Sequence, residues 1–395
     1  MSRHVRNITM IRVLAATALV LALGGCSTLK GWFGGKAEEK PTEPAELVDI
    51  TPTVSVSKLW SANAGKGEER LGLQQTPAVD GGRVYAAAVE GGVRAFDLQT
   101  GKQVWQYKSD LRLSGGPGAG QGLVVVGTLD GQVVALDAAT GAEKWQVKVP
   151  NEVISAPAIA QGLVFVRTND GRVSALSAET GERRWFWTHE LPSLTVRGNA
   201  PVVVGPGVLF AGSDDGTLTA VSANDGRPLW TQTVGTPEGR SELERMADVD
   251  GAPVLEGTTV FATSFKKETV AIEGPSGRPL WKRENGGAGG LAVTSSAVLV
   301  SDPAGTVWAL DKYSGGSLWS NTTLARRSLT APTIHGDYAV VGDYDGYLHW
   351  LKTDNGDIVG RARVGGKAIR GKPVVVDGIL IVQDVEGGLT AFGFK

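Results

Sequence analysis

The stretch AFDLQTGKQVW, residues 95–105, decides the fold, because the same phrase returns along most of the 395-residue chain. Each full copy has glycine at its seventh position and tryptophan at its eleventh, and successive tryptophans are 40, 40, 45, 51 and 38 residues apart. A seventh copy has Gly360 in place of tryptophan, and an eighth begins at Ala391. The five other full copies are ALDAATGAEKW (135–145), ALSAETGERRW (175–185), AVSANDGRPLW (220–230), AIEGPSGRPLW (271–281) and ALDKYSGGSLW (309–319).

One unit of the repeat, residues 155–185, contains four short apolar runs separated by turn signals. Gly162, Gly171 and Gly181 mark the three turns, because tight hairpins need the positive φ angles that glycine adopts at little cost. A period near 40 residues with four strands in each unit is typical of a propeller blade. The sequence therefore predicts an all-β, eight-bladed β-propeller of four-stranded antiparallel blades.

The two ends of the repeat region are each incomplete. The last unit, which finishes in LTAFGFK, lacks an outer strand, and the early stretch VSVSKLW has no unit before it. Pairing residues 54–61 with residues 389–395 would complete the eighth blade and remove two exposed sheet edges. We therefore expect the N-terminal strand to close the last blade.

The regular tryptophans allow two interpretations. Exposed aromatic side chains at a fixed spacing could form a ligand platform, whereas tryptophans tied to a repeated turn are more often packed between repeats. The second interpretation is favoured here, because each tryptophan lies four residues after the turn glycine. The predicted structural tryptophans are Trp60, Trp105, Trp145, Trp185, Trp230, Trp281 and Trp319.

The first 25 residues are typical of a signal peptide. Three arginines precede an apolar run at 13–23, which at eleven residues is too short to span a bilayer. Leu23-Gly24-Gly25-Cys26 resembles a bacterial lipobox, which makes Cys26 the predicted lipidation site. An ordinary secretory signal with an incidental cysteine is the alternative. Acyl chains on Cys26 would exceed the two signals needed for stable anchoring.

The predicted organisation has three parts. Residues 1–25 form the lipoprotein signal peptide, residues 26–52 a lipidated flexible tether rich in Gly, Pro, Glu and Lys, and residues 53–395 the propeller. Ser27 follows the cysteine where an aspartate would favour inner-membrane retention by resemblance to lipoprotein sorting rules. The predicted location is therefore the outer membrane, lipid-anchored and facing the periplasm.

Charge and cysteine content narrow the class of protein. The formal charge is −2 and becomes −5 once the three signal-peptide arginines are lost. A mildly acidic chain without a basic stripe is not typical of nucleic-acid binding. Cys26 is the only cysteine, so the fold has to be stabilised by core packing and not by disulfides.

The phrase A-[LFVI]-[DSE]-x-x-[TDS]-G-x-x-x-W resembles the pyrroloquinoline-quinone-type propeller repeat. With the lipobox, the tether and the eight units, the whole chain resembles the propeller lipoproteins of the outer-membrane β-barrel assembly machinery. That resemblance implies a non-enzymatic scaffold without a cofactor, which assists the folding and insertion of β-barrel proteins. It implies as partners the periplasmic POTRA domains of BamA, the barrel-forming subunit, other lipoproteins of the machinery, and unfolded outer-membrane clients.

Two loops are the predicted docking sites. The loops at 189–201 and 234–253 each connect the outer strand of one blade to the inner strand of the next, so they should lie side by side on one face. Motifs in them, L-x-[LV]-R-G and D-V-D, match patterns that the resemblance links to POTRA docking. The matching residues are Leu194, Val196, Arg197, Asp248 and Asp250. The aspartates could steer the partner or orient Arg197, or they could only cap a turn while Arg197 pairs internally.

Two other functions remain as alternatives, a quinoprotein-like dehydrogenase or ligand-binding propeller, and a propeller that binds cell-wall material. The sequence gives little support for either enzymatic or metal chemistry. His189, His335 and His349 lack metal-ligand spacing, and no G-x-S-x-G motif occurs. The run from Asp343 to Gly346 superficially suggests a calcium loop, but no twelve-residue loop ending in Glu follows. No metal site is predicted.

Overall fold

The computed structural model describes residues 43–195, 200–287 and 289–395. In this part of the chain, 32 β-strands form eight sheets of four antiparallel strands each. Seven sheets consist of four consecutive strands, which are numbered from the inner to the outer position as the chain runs outward. This confirms the predicted eight-bladed propeller.

The strands of the first four blades follow one another along the chain. Blade 1 consists of β2 (Ala78–Asp80), β3 (Arg83–Ala87), β4 (Val93–Asp97) and β5 (Gln103–Tyr107); blade 2 of β6 (Gly118–Gly120), β7 (Leu123–Gly127), β8 (Gln132–Asp137) and β9 (Glu143–Lys148). Blade 3 consists of β10 (Ala158–Ala160), β11 (Leu163–Arg167), β12 (Arg172–Ser177) and β13 (Arg183–Thr188); blade 4 of β14 (Val203–Gly205), β15 (Val208–Gly212), β16 (Thr217–Ser222) and β17 (Pro228–Thr233).

The remaining blades repeat this plan, and one short α-helix, α1 (Glu242–Arg245), precedes blade 5. Blade 5 consists of β18 (Val254–Glu256), β19 (Thr259–Thr263), β20 (Thr269–Glu273) and β21 (Pro279–Arg283); blade 6 of β22 (Leu291–Val293), β23 (Ala297–Ser301), β24 (Val307–Asp311) and β25 (Ser317–Asn321). Blade 7 consists of β26 (Thr333–His335), β27 (Tyr338–Gly342), β28 (Tyr347–Lys352) and β29 (Ile358–Arg363); blade 8 of β30 (Val374–Val376), β31 (Ile379–Gln383), β32 (Gly388–Phe394) and β1 (Val56–Asn63).

Burial explains why the two middle strands of each blade read as nearly continuous apolar runs. In blade 3 all but one residue of β11 and all but one of β12 are buried, whereas the outer β13 alternates between exposed and half-buried residues. Both faces of a middle strand pack against neighbouring blades, so either face excludes water. The core therefore lies between blades, in eight clusters around the ring.

The closing strand forms as predicted. Strand β1 runs antiparallel to β32 and pairs Val56 with Phe394, Trp60 with Ala391 and Asn63 with Gly388. Residues from the two ends of the repeat region therefore share one sheet. This arrangement satisfies the backbone hydrogen bonds of β32 along both of its edges.

Each repeat tryptophan packs against the turn of the next blade. The Nε1 of Trp105 donates a 3.0 Å hydrogen bond to the carbonyl of Ala138, and a Cβ placed on Gly141 would lie 2.6 Å from the same indole. Gly141 has φ +75°, which also favours glycine. The same indole-to-carbonyl bond occurs from Trp60 to Leu98, Trp145 to Ala178, Trp185 to Ala223, Trp230 to Gly274, Trp281 to Lys312 and Trp319 to Thr353.

The junction between blades 7 and 8 differs, because Gly360 occupies the tryptophan position. A Cβ on Gly360 would meet the side chain of Val54 at 2.7 Å, so the N-terminal segment fills the space of the missing indole. His335 supplies the hydrogen bond between the blades, since its Nε2 lies 2.8 Å from the carbonyl of Gly378. Phe394 stacks on that imidazole with a 4.0 Å distance between ring centroids.

Ordered contacts begin before the predicted start of the propeller at residue 53. The amide of Ala45 donates to the carbonyl of Ala325, and Arg327 donates to the carbonyl of Ala45 at 2.9 Å. Arg361 donates to the carbonyl of Val48, also at 2.9 Å. Residues of the predicted tether from Ala45 onward therefore lie along blades 6 and 7, held by arginine donors that the sequence did not associate with them.

The tryptophan–glycine contact predicts the effect of adding one methyl group. Gly141→Ala should lower the free energy of unfolding by about 2–5 kcal/mol, because it combines an unfavourable φ with overlap of the Trp105 indole. Gly122→Ala is the matched control, since Gly122 has φ +76° and open space around its Cβ position. It should cost only about 1 kcal/mol. Equal losses in urea unfolding would contradict a structural role for the indole contact.

Candidate functional site

The two connecting loops that the sequence singled out lie side by side. The first follows β13 and the second follows β17, and the Ser193 hydroxyl donates a 2.7 Å hydrogen bond to the Glu242 carboxylate. Glu242 opens α1, which is capped by Ser241 through a reciprocal hydrogen-bond pair with Glu244. We call residues 189–201 and 234–253 the paired loops.

The paired loops present apolar side chains to solvent. Leu194 is 43% exposed and Leu243 is 65% exposed, and Leu191 is exposed as well. Single exposed leucines are common on protein surfaces, but three of them on two loops joined by a hydrogen bond make these loops a candidate contact surface. Among the predicted site residues, Leu194 is therefore available to a partner.

The other predicted site residues divide into two groups. Val196 and Arg197 lie outside the described residues. Asp248 and Asp250 are described and are 0% and 8% exposed. Buried carboxylates do not contact a docking protein directly, so the structure favours an internal role for this pair over direct steering.

A cluster of buried carboxylates lies beneath the paired loops. Carboxylate oxygens of Asp214, Asp248 and Asp250 lie within 4.8 Å of one another. Arg167 reaches into the cluster from β11 and pairs with Asp214 at 3.0 Å, with both side chains 3% exposed. Sequence analysis missed Arg167 and Asp214, because an arginine at a strand end and an Asp-Asp-Gly turn both read as surface features.

Burial controls protonation in this cluster. Desolvation raises the pKa of Asp214 to about 6 in spite of the attraction of Arg167. Desolvation, followed by repulsion from Asp248, raises the pKa of Asp250 to about 8. At neutral pH Asp250 is therefore mostly protonated. Three acid groups at this spacing could ligate a cation, but Arg167 and the proton on Asp250 already reduce the negative charge.

Arg167 also fixes the end of the first paired loop. Its Nη1 donates to the carbonyl of Ala200 at 3.2 Å, while its Nη2 bonds Asp214. In the second loop, the amide of Val249 donates to Ser213 and the carbonyl of Asp248 accepts from Phe265. Both loops are thereby attached to blades 3, 4 and 5 around one buried charge cluster.

A histidine–aspartate pair holds the start of the first loop. His189 Nε2 lies 2.7 Å from the Asp215 carboxylate, and its backbone amide donates to Gly171. The hydrogen bond with Asp215 is the largest cause of the raised pKa of His189. The sequence did not predict this pair, because His189 and Asp215 are far apart along the chain.

The remaining predicted features also have positions. Asp343 is fully buried, bonds Arg327 at 2.7 Å and lies 3.0 Å from His349 Nε2, so it serves an internal ion-pair network. Cys26 and the signal peptide lie outside the described residues. Within the described part of the chain, no helix is long and apolar enough to cross a membrane.

Comparison with known families agrees with this architecture. The family model described as outer membrane protein assembly factor BamB matches residues 57–111, 89–321 and 310–395. The chain belongs to the BamB family. This family consists of assembly factors and not of enzymes, so the expectation of a non-enzymatic protein is confirmed.

Relatives in the family match almost the whole chain. The outer membrane protein assembly factor BamB of Xanthomonas campestris is 61% identical over 400 residues, which cover 98% of each chain. BamB of Pseudomonas aeruginosa is 44% identical over 381 residues, 96% of this chain and 98% of that one. The matches extend over the N-terminal region as well as the propeller.

Solved structures give the same fold. BamB from Moraxella catarrhalis superposes with a TM-score of 0.79 at 28% identity, over 86% of this chain and all of that one. The quinohemoprotein alcohol dehydrogenase from Comamonas testosteroni superposes with a TM-score of 0.70 at 15% identity, over 86% and 77% of the two chains. The second similarity shows the fold alone, and membership of the BamB family excludes the dehydrogenase alternative.

The raised pKa of Asp250 predicts a pH-dependent stability. Between the unfolded pKa of about 4 and the folded pKa of about 8, the folded state holds a proton that the unfolded state has released. Stability of the parent protein therefore falls as pH rises through this window. The Asp250→Asn variant has no titrating group at this position. Relative to the parent, its free energy of unfolding should be higher by about 2–5 kcal/mol at pH 8 and almost the same near pH 4.

Urea unfolding of the parent and of Asp250→Asn across this pH range provides the measurement. Titrating groups outside the cluster are present in both proteins, so the difference between the two curves reports on Asp250 and on the carboxylates that it repels, Asp248 and Asp214. A stability difference that stays constant with pH would show that Asp250 is ionised in the folded protein.

Proposed function

We propose that the chain is a periplasm-facing lipoprotein scaffold that binds the POTRA domains of a BamA-like barrel subunit through the paired loops. In that position it assists the folding and insertion of outer-membrane β-barrel proteins, together with the other lipoproteins of the machinery. The observation that carries the proposal is the pair of hydrogen-bonded loops with exposed leucines on a rigid ring.

The leucines supply the apolar part of the proposed interface. Burying a leucine side chain is worth about 1.5–3 kcal/mol, so Leu194 and Leu243 together would supply at most about 3–6 kcal/mol of the binding free energy. Val196 is proposed as a further apolar contact residue of the same loop. Apolar anchors near the centre of a contact usually carry most of its binding energy.

Arg197 is proposed to supply the polar contact. Its guanidinium has five donors in a fixed fork, which suits a carboxylate or backbone carbonyls of the partner. Asp248 and Asp250 are proposed to position the loop that carries Arg197, because their own carboxylates are buried. This assignment keeps all five predicted residues in the site but gives the aspartates an indirect role.

The proposed tether links the propeller to the membrane. Lipidation at Cys26 would leave residues 27–44 between the anchor and Ala45, whose backbone amide bonds the carbonyl of Ala325. Eighteen residues span at most about 60 Å when fully extended. This length lets the ring reach periplasmic domains of a membrane-embedded partner without leaving the outer membrane.

Unfolded clients are proposed to pair with the outer strands. The outer strands of blades 1, 4, 5 and 6 each expose an apolar residue just before the tryptophan, Val104, Leu229, Leu280 and Leu318. Outer edges of this kind accept an extended strand through backbone hydrogen bonds.

The docking surface is tested by removing its exposed leucines. The double variant Leu194→Ser/Leu243→Ser should co-purify at least about tenfold less BamA-like subunit from mild-detergent membranes, since two apolar anchors are lost. The matched control is Leu280→Ser/Leu318→Ser, in which Leu280 is 43% exposed like Leu194 but lies on an outer strand. Both variants should keep the parent melting temperature. Equal co-purification of both double variants would place the docking surface elsewhere.

The lipid anchor is tested separately at Cys26. Cys26→Ser removes the thiol that would be acylated, so the variant should leave the outer-membrane fraction. Membrane fractionation with detection of bound acyl chains by mass spectrometry gives the measurement. Retention in the outer membrane without acyl chains would show that protein contacts alone hold the chain there.

A further inference from the structure

The axis of the propeller contains a cavity of about 200 Å³. Its wall is formed by residues that immediately precede the inner strands of seven of the eight blades, and the segment Leu71–Gln74 lies along one side. A water molecule occupies about 30 Å³ in the liquid, so the cavity has room for several waters or for a small organic molecule.

Lys372 places a half-buried cation in this wall. Its Nζ donates to the carbonyl of Leu291 at 2.9 Å, which uses one of three N–H donors. The side chain is half-buried, and desolvation lowers its pKa to about 8. Within the described residues no carboxylate pairs with it, and desolvation is the single cause of the lowered pKa. A partly desolvated ammonium with two spare donors is stabilised by a further acceptor.

Two other polar side chains in the cavity wall are buried and lack a hydrogen-bond partner. Among the described residues, the two carboxylate oxygens of Asp250 and the hydroxyl of Ser155 have no hydrogen-bond partner, although both side chains are buried. Buried polar groups are normally hydrogen-bonded, so each exception requires an explanation. Here two such residues, Ser155 before blade 3 and Asp250 before blade 5, line the same cavity as Lys372.

We propose that this axial cavity binds a small carboxylate that also carries a hydroxyl group. The carboxylate would accept hydrogen bonds from Lys372, and the hydroxyl would bond Asp250 and Ser155. A bound anion restores the missing charge partner of Lys372. The paired loops contribute Pro201, Asp250 and Ala252 to the wall of this cavity, whereas their exposed leucines are not among its lining residues.

The test uses L-malate as the probe, with succinate and sodium chloride at matched ionic strength as controls. Malate should raise the unfolding temperature of the full-length protein in a saturable manner, because a ligand that binds the folded state stabilises it. Succinate, which lacks the hydroxyl, should give a smaller rise. Equal effects of malate and chloride, or no effect of malate, would overturn the proposal.

Two variants locate the binding. Lys372→Met keeps the length of the side chain without the charge and should abolish the rise caused by malate, whatever its own unfolding temperature. Ser155→Ala removes one hydroxyl and should reduce the rise from malate toward that from succinate. A malate-induced rise unchanged in Lys372→Met would place any binding outside the cavity and overturn the proposal.

Discussion

The contact between a tryptophan of one blade and the turn glycine of the next is the interaction on which the ring depends. At seven junctions an indole Nε1 donates to a carbonyl of the neighbouring turn. The indole packs so closely on the turn glycine that a Cβ on that residue would overlap it. A repeated contact of this kind sets the spacing between blades. The eighth junction has Gly360 instead, and Val54 with His335 replaces both the packing and the hydrogen bond. The N-terminal segment therefore closes the last blade and completes this junction.

The paired loops are held by blades 3, 4 and 5 of the ring and not only by the hydrogen bond between them. The paired loops are attached through Arg167, Asp214, Asp248 and Asp250, a cluster that is buried and not fully ionised. Leaving such a cluster without Arg167 would expose uncompensated charge to a low-dielectric interior. The loops that carry the exposed leucines are thus attached through a charge cluster whose side chains are all buried. The described residues that the sequence pattern predicts for docking divide accordingly into Leu194, which is exposed, and Asp248 and Asp250, which are buried.

The repeat explains how much of this could be predicted. Regular glycines, Asp-Gly turns and tryptophans determine blade number, strand order and closure, because each blade repeats one local solution. The loops were also located correctly, since chain connectivity alone places them on one face. Burial of Asp248 and Asp250 was not predictable, because D-V-D before a proline reads equally as an exposed turn. The partners Arg167 and Asp215, and the contacts of Ala45, depend on residues distant in sequence, for which no local signal exists.

The proposed function requires that leucines of the paired loops contact the POTRA domains. A photo-crosslinking amino acid placed at Leu194 of the membrane-bound lipoprotein tests this contact directly, with the same label at Leu280 for comparison. A crosslink to the POTRA region of the BamA-like subunit is expected from position 194 and none from position 280. A crosslink to that region from position 280 alone would contradict it.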